Sequence, residues 1–285
     1  MNQVTQSNWK AGIRTTILLA TLTGLLVALG AFIGGPSTAA LFLGIGLLIN
    51  LGSYWFSDKI ALKMSHAQPL SEDEEPRLHQ IVRELAFSAG IPMPRLYMIP
   101  ADQPNAFATG RSPKHSAVAV TRGITQLLSE AELRGVLAHE LAHVRNRDIL
   151  TTSIAAAIGG AITWIAYMLL WVGGDDDSPF GLVGALAMTL LAPIAASLIQ
   201  LGISRQREFA ADATGARIAG NSNALADALE RLEAGAKAMP MEVAPAAEPL
   251  FIVKPFSGRG IAGLFSTHPP IEERVRRLRE MGVGV

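Results

Sequence analysis

Four almost uncharged apolar runs constrain this chain more than any other feature: Ile13 to Ile33, Ala39 to Phe56, Ile149 to Val172 and Phe180 to Ile203. Crossing the hydrocarbon of a bilayer as a helix takes about 20 mostly apolar residues. Each run is of that order, and Arg14, at the edge of the first, is the only charge among them. They are too long for typical strands. Buried helices of a soluble core are the alternative, but four of them in 285 residues would leave too little polar surface to cover them. The charged fraction agrees: it is 17%, against about a quarter in an ordinary soluble domain. The expectation is an α-helical multi-pass membrane anchor.

The ends of the runs carry an orientation signal. Lys10 and Arg14 precede the first, Lys59 and Lys63 follow the second, Arg145 and Arg147 precede the third, and Arg205 and Arg207 follow the fourth. The link Gly34 to Thr38 is uncharged, and the link between runs three and four carries Asp175, Asp176 and Asp177. Basic residues flank one side only, which places that side and both termini in the cytoplasm. Tyr54, Trp55 and Trp171 suit aromatic positions at the membrane interface. The basic start of the first run resembles a secretory signal, but its apolar stretch is too long and a second follows at once, which favours an uncleaved anchor.

The chain therefore divides into 1–56 (two transmembrane helices), 57–148 (polar), 149–203 (a transmembrane hairpin) and 204–285 (polar). The polar pieces are together long enough for one compact domain. In the first, a helix is expected over Glu74 to Ala89, capped from Ser71. A strand over Arg95 to Ile99, a turn-rich link through Asn105 and Gly110, a strand over Ser116 to Thr121 and a helix from Ser129 follow. In the second, helices are expected around Gln206 to Ala219, Ala224 to Ala234 and Ile271 to Met281. A Pro-, Gly- and Ala-rich loop spans Ala238 to Phe265. The formal net charge of +0 argues against nucleic acid as a partner. The absence of cysteine excludes disulfides, thiolate metal sites and a cysteine nucleophile.

Chemistry concentrates at Ala138-His139-Glu140-Leu141-Ala142-His143. On a helix, residues four apart lie one turn above each other. His139 and His143 can then point two imidazoles at one zinc ion, with Glu140 alongside as general base. Ser129 and Glu132 form a capping box ahead of the apolar Leu133, Val136 and Leu137, so the motif sits on a helix. A catalytic zinc needs a third protein ligand. Six residues after His143 stands Ile149, which excludes the three-histidine subclass. A carboxylate on a second helix is the alternative, and Glu208 in Arg207-Glu208-Phe209-Ala210-Ala211-Asp212 supplies it. Asp212, one turn on, would hold a ligand histidine by its free N–H. Taken alone, this pair is more often a solvated helix face. Its placement is informative, because a membrane hairpin of runs three and four returns Glu208 to the first helix.

With these motifs the chain resembles the HtpX-type membrane metalloproteases, a family that includes the CAAX prenyl endopeptidase and Oma1. The resemblance is carried by His139 through Asp148, Ser204 through Asp212, Ser266-Thr267-His268-Pro269-Pro270 with Arg274, and Asn105-Ala106-Phe107-Ala108. It implies an α+β, mostly helical, gluzincin-type catalytic domain with one zinc ion per chain. It also implies a bacterial inner membrane protease acting in stress response and quality control, on membrane-protein and unfolded polypeptide substrates at the cytoplasmic face. It further implies that His268 lies near the metal as an oxyanion donor, although Thr267-His268-Pro269-Pro270 equally suits a helix start. Asn105 is expected to bind the substrate backbone beside an edge strand, a turn-forming role being the alternative. Arg274 is left open between a surface pair and a site residue. His66, His79 and His115 read as surface residues.

Glu208 stands five residues beyond run four, so the zinc is expected roughly 10–15 Å from the cytoplasmic membrane surface. Two rival classes fit the sequence less well. A transporter would place ionisable groups inside the membrane, and the runs offer little beyond Asn50 and Gln200. A non-catalytic zinc-stabilised scaffold would close the fourth coordination position and has no use for Glu140.

Overall fold

A computed structural model describes residues 2–157, 205–238, 250–252 and 269–282. The chain begins with α1 (Asn2–Met64), two helical limbs joined at a kink where Gly34 and Gly35 leave helical geometry and Gly35 takes φ 71°. Pro36 then opens the second limb, where its missing N–H costs nothing. The limbs lie side by side, since Asn50 Nδ2 donates to Leu19 O (3.2 Å) and Thr23 Oγ1 (2.8 Å). Among the described residues, Gly34–Met64 is the helix long and apolar enough to cross a membrane. Its flanks are bare: Leu41, Leu48 and Leu51 are 62%, 70% and 59% exposed, an apolar surface that water alone does not favour.

The helix does not stop at Phe56. It runs on to Met64, and Ala61 and Leu62 pack with Ile99, Phe107, Ala117 and Ala119 of the sheet that follows. That sheet has the order β1 (Gln68–Pro69), β2 (Arg95–Ile99), β4 (His115–Thr121), β3 (Ala106–Ser112). β2 and β4 are parallel, and β3 runs antiparallel to β4 at the edge. Alternation along the strands splits the core between the two faces. Val118 and Val120 join the cluster that holds Val136, Leu137 and Leu141, while Ala117 and Ala119 face the end of α1. With both faces covered, the central strand reads as a continuous apolar run.

Two local expectations are corrected. The helix expected from Glu74 is α2 (Pro76–Ala89), and Ser71 does not cap it. The Ser71 amide and hydroxyl instead bind Glu74 Oε2, closing a separate turn, and Pro76 sets the true start. The turn expected through Asn105 and Gly110 is strand: Gly110 lies inside β3 at a register shift, with φ 138°. A Cβ there would stand 2.2 Å from His115 O, so only glycine fits. The actual reversal is Pro113–Lys114.

The remaining described helices are α3 (Arg122–Leu127), α4 (Glu130–Asn146), α5 (Asp148–Ala157), α6 (Arg205–Ala219), α7 (Ser222–Ala238) and α8 (Ile271–Gly282). They match the helices expected from Ser129, Gln206, Ala224 and Ile271. Run three begins in α5. Its remainder, run four, His268 and most of the loop from Ala238 to Phe265 lie outside the described residues.

Candidate metal centre

α4 is the central helix. Ser129 accepts from the Glu132 amide while Glu132 returns to the Ser129 amide, which completes the expected capping box. Arg147, with φ 61°, ends the helix, and its N–H closes on His143 O and Val144 O. Val136, Leu137, Ala138, Leu141 and Ala142 are all fully buried, so the histidines of this helix are held by core packing.

α6 reaches α4 through a stripe of small residues. A Cβ on Gly215 would come within 2.8 Å of the His139 backbone, so the helices meet nearly backbone to backbone. Glu208, Ala211, Asp212 and Gly215 share one face of α6 by their spacing. That face brings Glu208 Oε1 to 3.5 Å from His143 Nε2 and Glu208 Oε2 to 3.8 Å from His139 Nε2. The two Nε2 atoms are 3.2 Å apart. Ligand atoms of His139, His143 and Glu208 all lie within 4.8 Å of one another.

The outer nitrogens are occupied by carboxylates. Asp212 Oδ1 lies 2.9 Å from His139 Nδ1, and Asp148 Oδ2 lies 3.4 Å from His143 Nδ1. Each carboxylate is placed to accept a hydrogen bond from an Nδ1–H, which turns both Nε2 atoms toward Glu208. Two imidazoles and a carboxylate then converge on one point, with Arg274 Nη2 at 3.4 Å from His139 Nε2 on its edge, an arrangement that suits a cation. Two imidazoles and one carboxylate, each imidazole braced by a further carboxylate, fit zinc with an open position.

Arg274 completes the arrangement. It arrives from α8, is 0% exposed, and pairs with Asp212 at two points, Nε to Oδ2 (2.9 Å) and Nη2 to Oδ1 (2.7 Å). Its Nη1 lies 3.9 Å from Glu208 Oε2. A surface pair, the other reading open from sequence, does not occur. A signal was available: Arg274 falls on the stripe of Ile271, Val275 and Leu278, the core-facing side of α8. Asp148 was likewise given no role from sequence. It follows the left-handed break at Arg147, which turns it back toward His143.

Electrostatics sort these groups. Burial holds His139 down at about 4 against the pull of Asp212, so it is neutral. Burial also acts against charge on His143, but Glu208, Asp148 and Glu140 outweigh it and raise that histidine to about 9. A positive charge is therefore favoured between these groups. Burial, with Glu208 nearby, pushes Glu140 up to about 7, although the Ala108 N–H donates to its carboxylate. Burial would raise Asp212, but the Arg274 guanidinium prevails and holds it well below the usual carboxylate range.

His139, Glu140, His143, Glu208, Ala108 and Ile252 line one cavity of about 30 Å³, enough to hold water. Asn105 precedes β3 and is fully buried, and its Oδ1 accepts from the Ala106 N–H at 3.1 Å. Ala106 O, on the outer edge of β3, accepts the Ile252 N–H at 3.1 Å. Phe251 packs edge-on against Phe107 at 5.2 Å. His66 and His115 are exposed, and the half-buried His79 bonds Leu70 O at 3.0 Å.

Comparison with known proteins adds family context. The model of peptidase family M48 matches residues 72–282. A protein of Pelotomaculum thermopropionicum named Protease HtpX homolog is 54% identical over 278 residues, covering 95% of this chain and 99% of its own length. A protein of the same name from Thermococcus kodakarensis is 49% identical over 282 residues, covering 95% and 97%. Among solved structures, the crystal structure of S. mikatae Ste24p superposes with a TM-score of 0.52 at 19% identity, over 96% of this chain and 67% of that one, a likeness of fold.

Proposed function

This chain belongs to peptidase family M48 and is a metalloprotease, and on that premise we propose that it is a zinc-dependent endopeptidase anchored by several spans in a bacterial inner membrane. Its substrates are misfolded or damaged membrane proteins and unfolded polypeptides, cut at the cytoplasmic face as quality control under stress. The observation that carries this reading is the convergence of His139, His143 and Glu208 on one point beside Glu140.

His139, His143 and Glu208 would hold one zinc ion per chain. Bound there, zinc supplies Lewis acidity that polarises a scissile carbonyl and brings a water proton within reach of a base near neutral pH. Glu140, raised to about 7, takes that proton on its carboxylate and returns it to the leaving amine. Asp212 fixes the tautomer and tilt of His139, and Arg274 keeps Asp212 ionised. His268 is assigned the oxyanion donor role by family resemblance.

The substrate adds as an extended strand to the outer edge of β3. Ala106 O presents the acceptor, and Asn105 serves the substrate by fixing the adjoining Ala106 amide. Leu250 to Ile252 stand along this edge, and Ile252 must give up its bond to Ala106 O as the substrate enters. The bare apolar flank of α1 and the basic residues at one end of each run support the membrane reading and the cytoplasmic side.

The test uses the purified full chain, assayed on casein and on an unfolded membrane protein, with its metal content measured. Cleavage with one bound zinc is expected, abolished by a chelator. Glu140→Gln is expected to lose about 10²- to 10⁴-fold in kcat while keeping its metal. Equal cleavage by both proteins, indifferent to chelation, overturns the reading.

A further inference from the structure

Three observations place one end of the sheet against the apolar helices. The guanidinium of Arg111, at the far end of β3, lies 4.6 Å from the centre of the Trp55 ring, and its Nη1 donates to Trp55 O at 3.3 Å. Gly110 N–H and the Thr109 hydroxyl both meet Ser153 Oγ in α5, at 3.2 and 2.7 Å. Arg95, at the start of β2, bonds Asp58 Oδ2 at 2.6 Å. Asp58 follows Trp55 by one turn of α1, so the sheet end descends along the helix toward the apolar run as it passes from β2 to β3.

The level of that contact is set by α1. Tyr54, Trp55 and Phe56 are consecutive and 37%, 51% and 51% exposed. An exposed aromatic cluster at the end of an apolar helix suits the headgroup layer. Ser153 lies inside the apolar run that starts at Ile149, which gives the same level from a second helix. Beyond these anchors the chain makes its reversal at Pro113–Lys114, and Lys114 and His115 are exposed.

The charge of this end has one sign. No acidic residue occurs between Asp102 and Glu130. Asp58 is answered by Arg95, whereas Lys59 lies over the Phe56 ring at 5.5 Å, adding a cation at the same level. Cations held at the headgroup layer attract anionic lipid.

We infer that the β3–β4 turn is a binding site for anionic phospholipid headgroups, with Arg111 and Lys114 as its cationic groups. This rests on the membrane reading given above and sharpens it. Ala108, whose N–H meets Glu140, stands three residues before Arg111, so the strand carries the base to about 10 Å from the headgroup layer. A juxtamembrane segment leaving the bilayer would meet β3 within a few residues.

The chain contains no cysteine, so a single Pro113→Cys on the full chain accepts an environment-sensitive fluorophore at the turn. The labelled protein is placed in vesicles of phosphatidylcholine alone or mixed with phosphatidylglycerol. Quenching by a headgroup-level quencher lipid is expected, with a blue shift that grows with phosphatidylglycerol and shrinks in high salt. Lys114→Gln, at an exposed position, is expected to remove most of the phosphatidylglycerol dependence, and Arg111→Gln to remove more. A label quenched only from water, or equally in both lipids, overturns the proposal. Inorganic phosphate is expected to leave the label unmoved in neutral vesicles, and a shift there would make free phosphate the ligand and equally overturn it. Alkaline carbonate extraction of the same sample separates the two readings: release from the vesicles defeats the membrane anchor, whereas retention with a water-exposed label defeats only the lipid site.

Discussion

Arg274 and Asp212 form a two-point ion pair, Nε to Oδ2 at 2.9 Å and Nη2 to Oδ1 at 2.7 Å, with the arginine 0% exposed. The pair joins the last described helix to the one that carries Glu208, and Asp212 in turn holds His139. Removing one partner strands a buried charge on the other. Arg274→Met is therefore expected to destabilise the domain by about 3–5 kcal/mol, read as a lower denaturation midpoint in detergent. Adding Asp212→Leu to it is expected to recover much of that loss. Arg274→Lys keeps the charge without the two-point geometry and is expected to fall between the parent and Arg274→Met.

Asp212 also acts on the metal. Asp212→Asn keeps the size of the side chain but removes the charge that orients His139 Nδ1–H. Metal affinity is expected to fall by about 10- to 100-fold, measured by competition with a chelator of known strength. Unchanged affinity with a stable fold would show that Asp212 serves Arg274 alone.

The metal-free protein has a pH dependence whose sign follows from the site. His143, raised to about 9, and Glu140, raised to about 7, both bind protons more tightly folded than unfolded. Their contribution is full below the unfolded values and is lost as pH rises through the folded ones. His139, held down at about 4, works oppositely: its contribution is present above its ordinary value of 6.5 and lost as pH falls toward 4. Below pH 6.5 the histidine loss and the Glu140 gain offset each other. Above it Glu140 and His143 act together, so stability is expected to fall by a few kcal/mol between pH 6.5 and 9. Thermal denaturation with and without chelator checks this. The metal-loaded protein is expected to lack the alkaline decline, because the cation replaces the proton on His143.

Ile252 gives a separate test of access. Its N–H bonds Ala106 O at the edge where a substrate strand would add. Ile252→Pro removes the donor and loosens the segment from that edge. A several-fold rise in kcat/KM on an unfolded polypeptide is expected, at unchanged metal content. A fall instead would identify Leu250 to Ile252 as part of the substrate platform rather than its occupant.

Much of this molecule was legible along the chain. The helix bearing His139 and His143 declares itself through Ser129, Glu132 and the apolar spacing, all local properties of the backbone. β2, most of β4 and the described C-terminal helices follow from short-range pattern in the same way. The apolar runs announce a surface that cannot face water, and that requires only composition and length. The boundaries were less legible. Pro76 overrode the acidic start expected at Glu74, and Gly110, which resembles a turn residue, serves a strand that no side chain could otherwise bring so close to β4.

The remainder depended on long-range packing. Arg274 lies in a charged stretch, Glu272-Glu273-Arg274 through Arg276-Arg277, that resembles a solvated helix face. Only the docking of α8 takes that one guanidinium out of water and sets it against Asp212. The same holds for Asp148, turned inward by a left-handed residue, and for Ile252, which reaches the edge of β3 from far along the chain. Local sequence determines which groups a segment carries and how they are spaced. Which of them share a site, and so which charges survive burial, is decided by distant contacts, because the energy of a buried charge depends on its partners rather than on its neighbours in sequence.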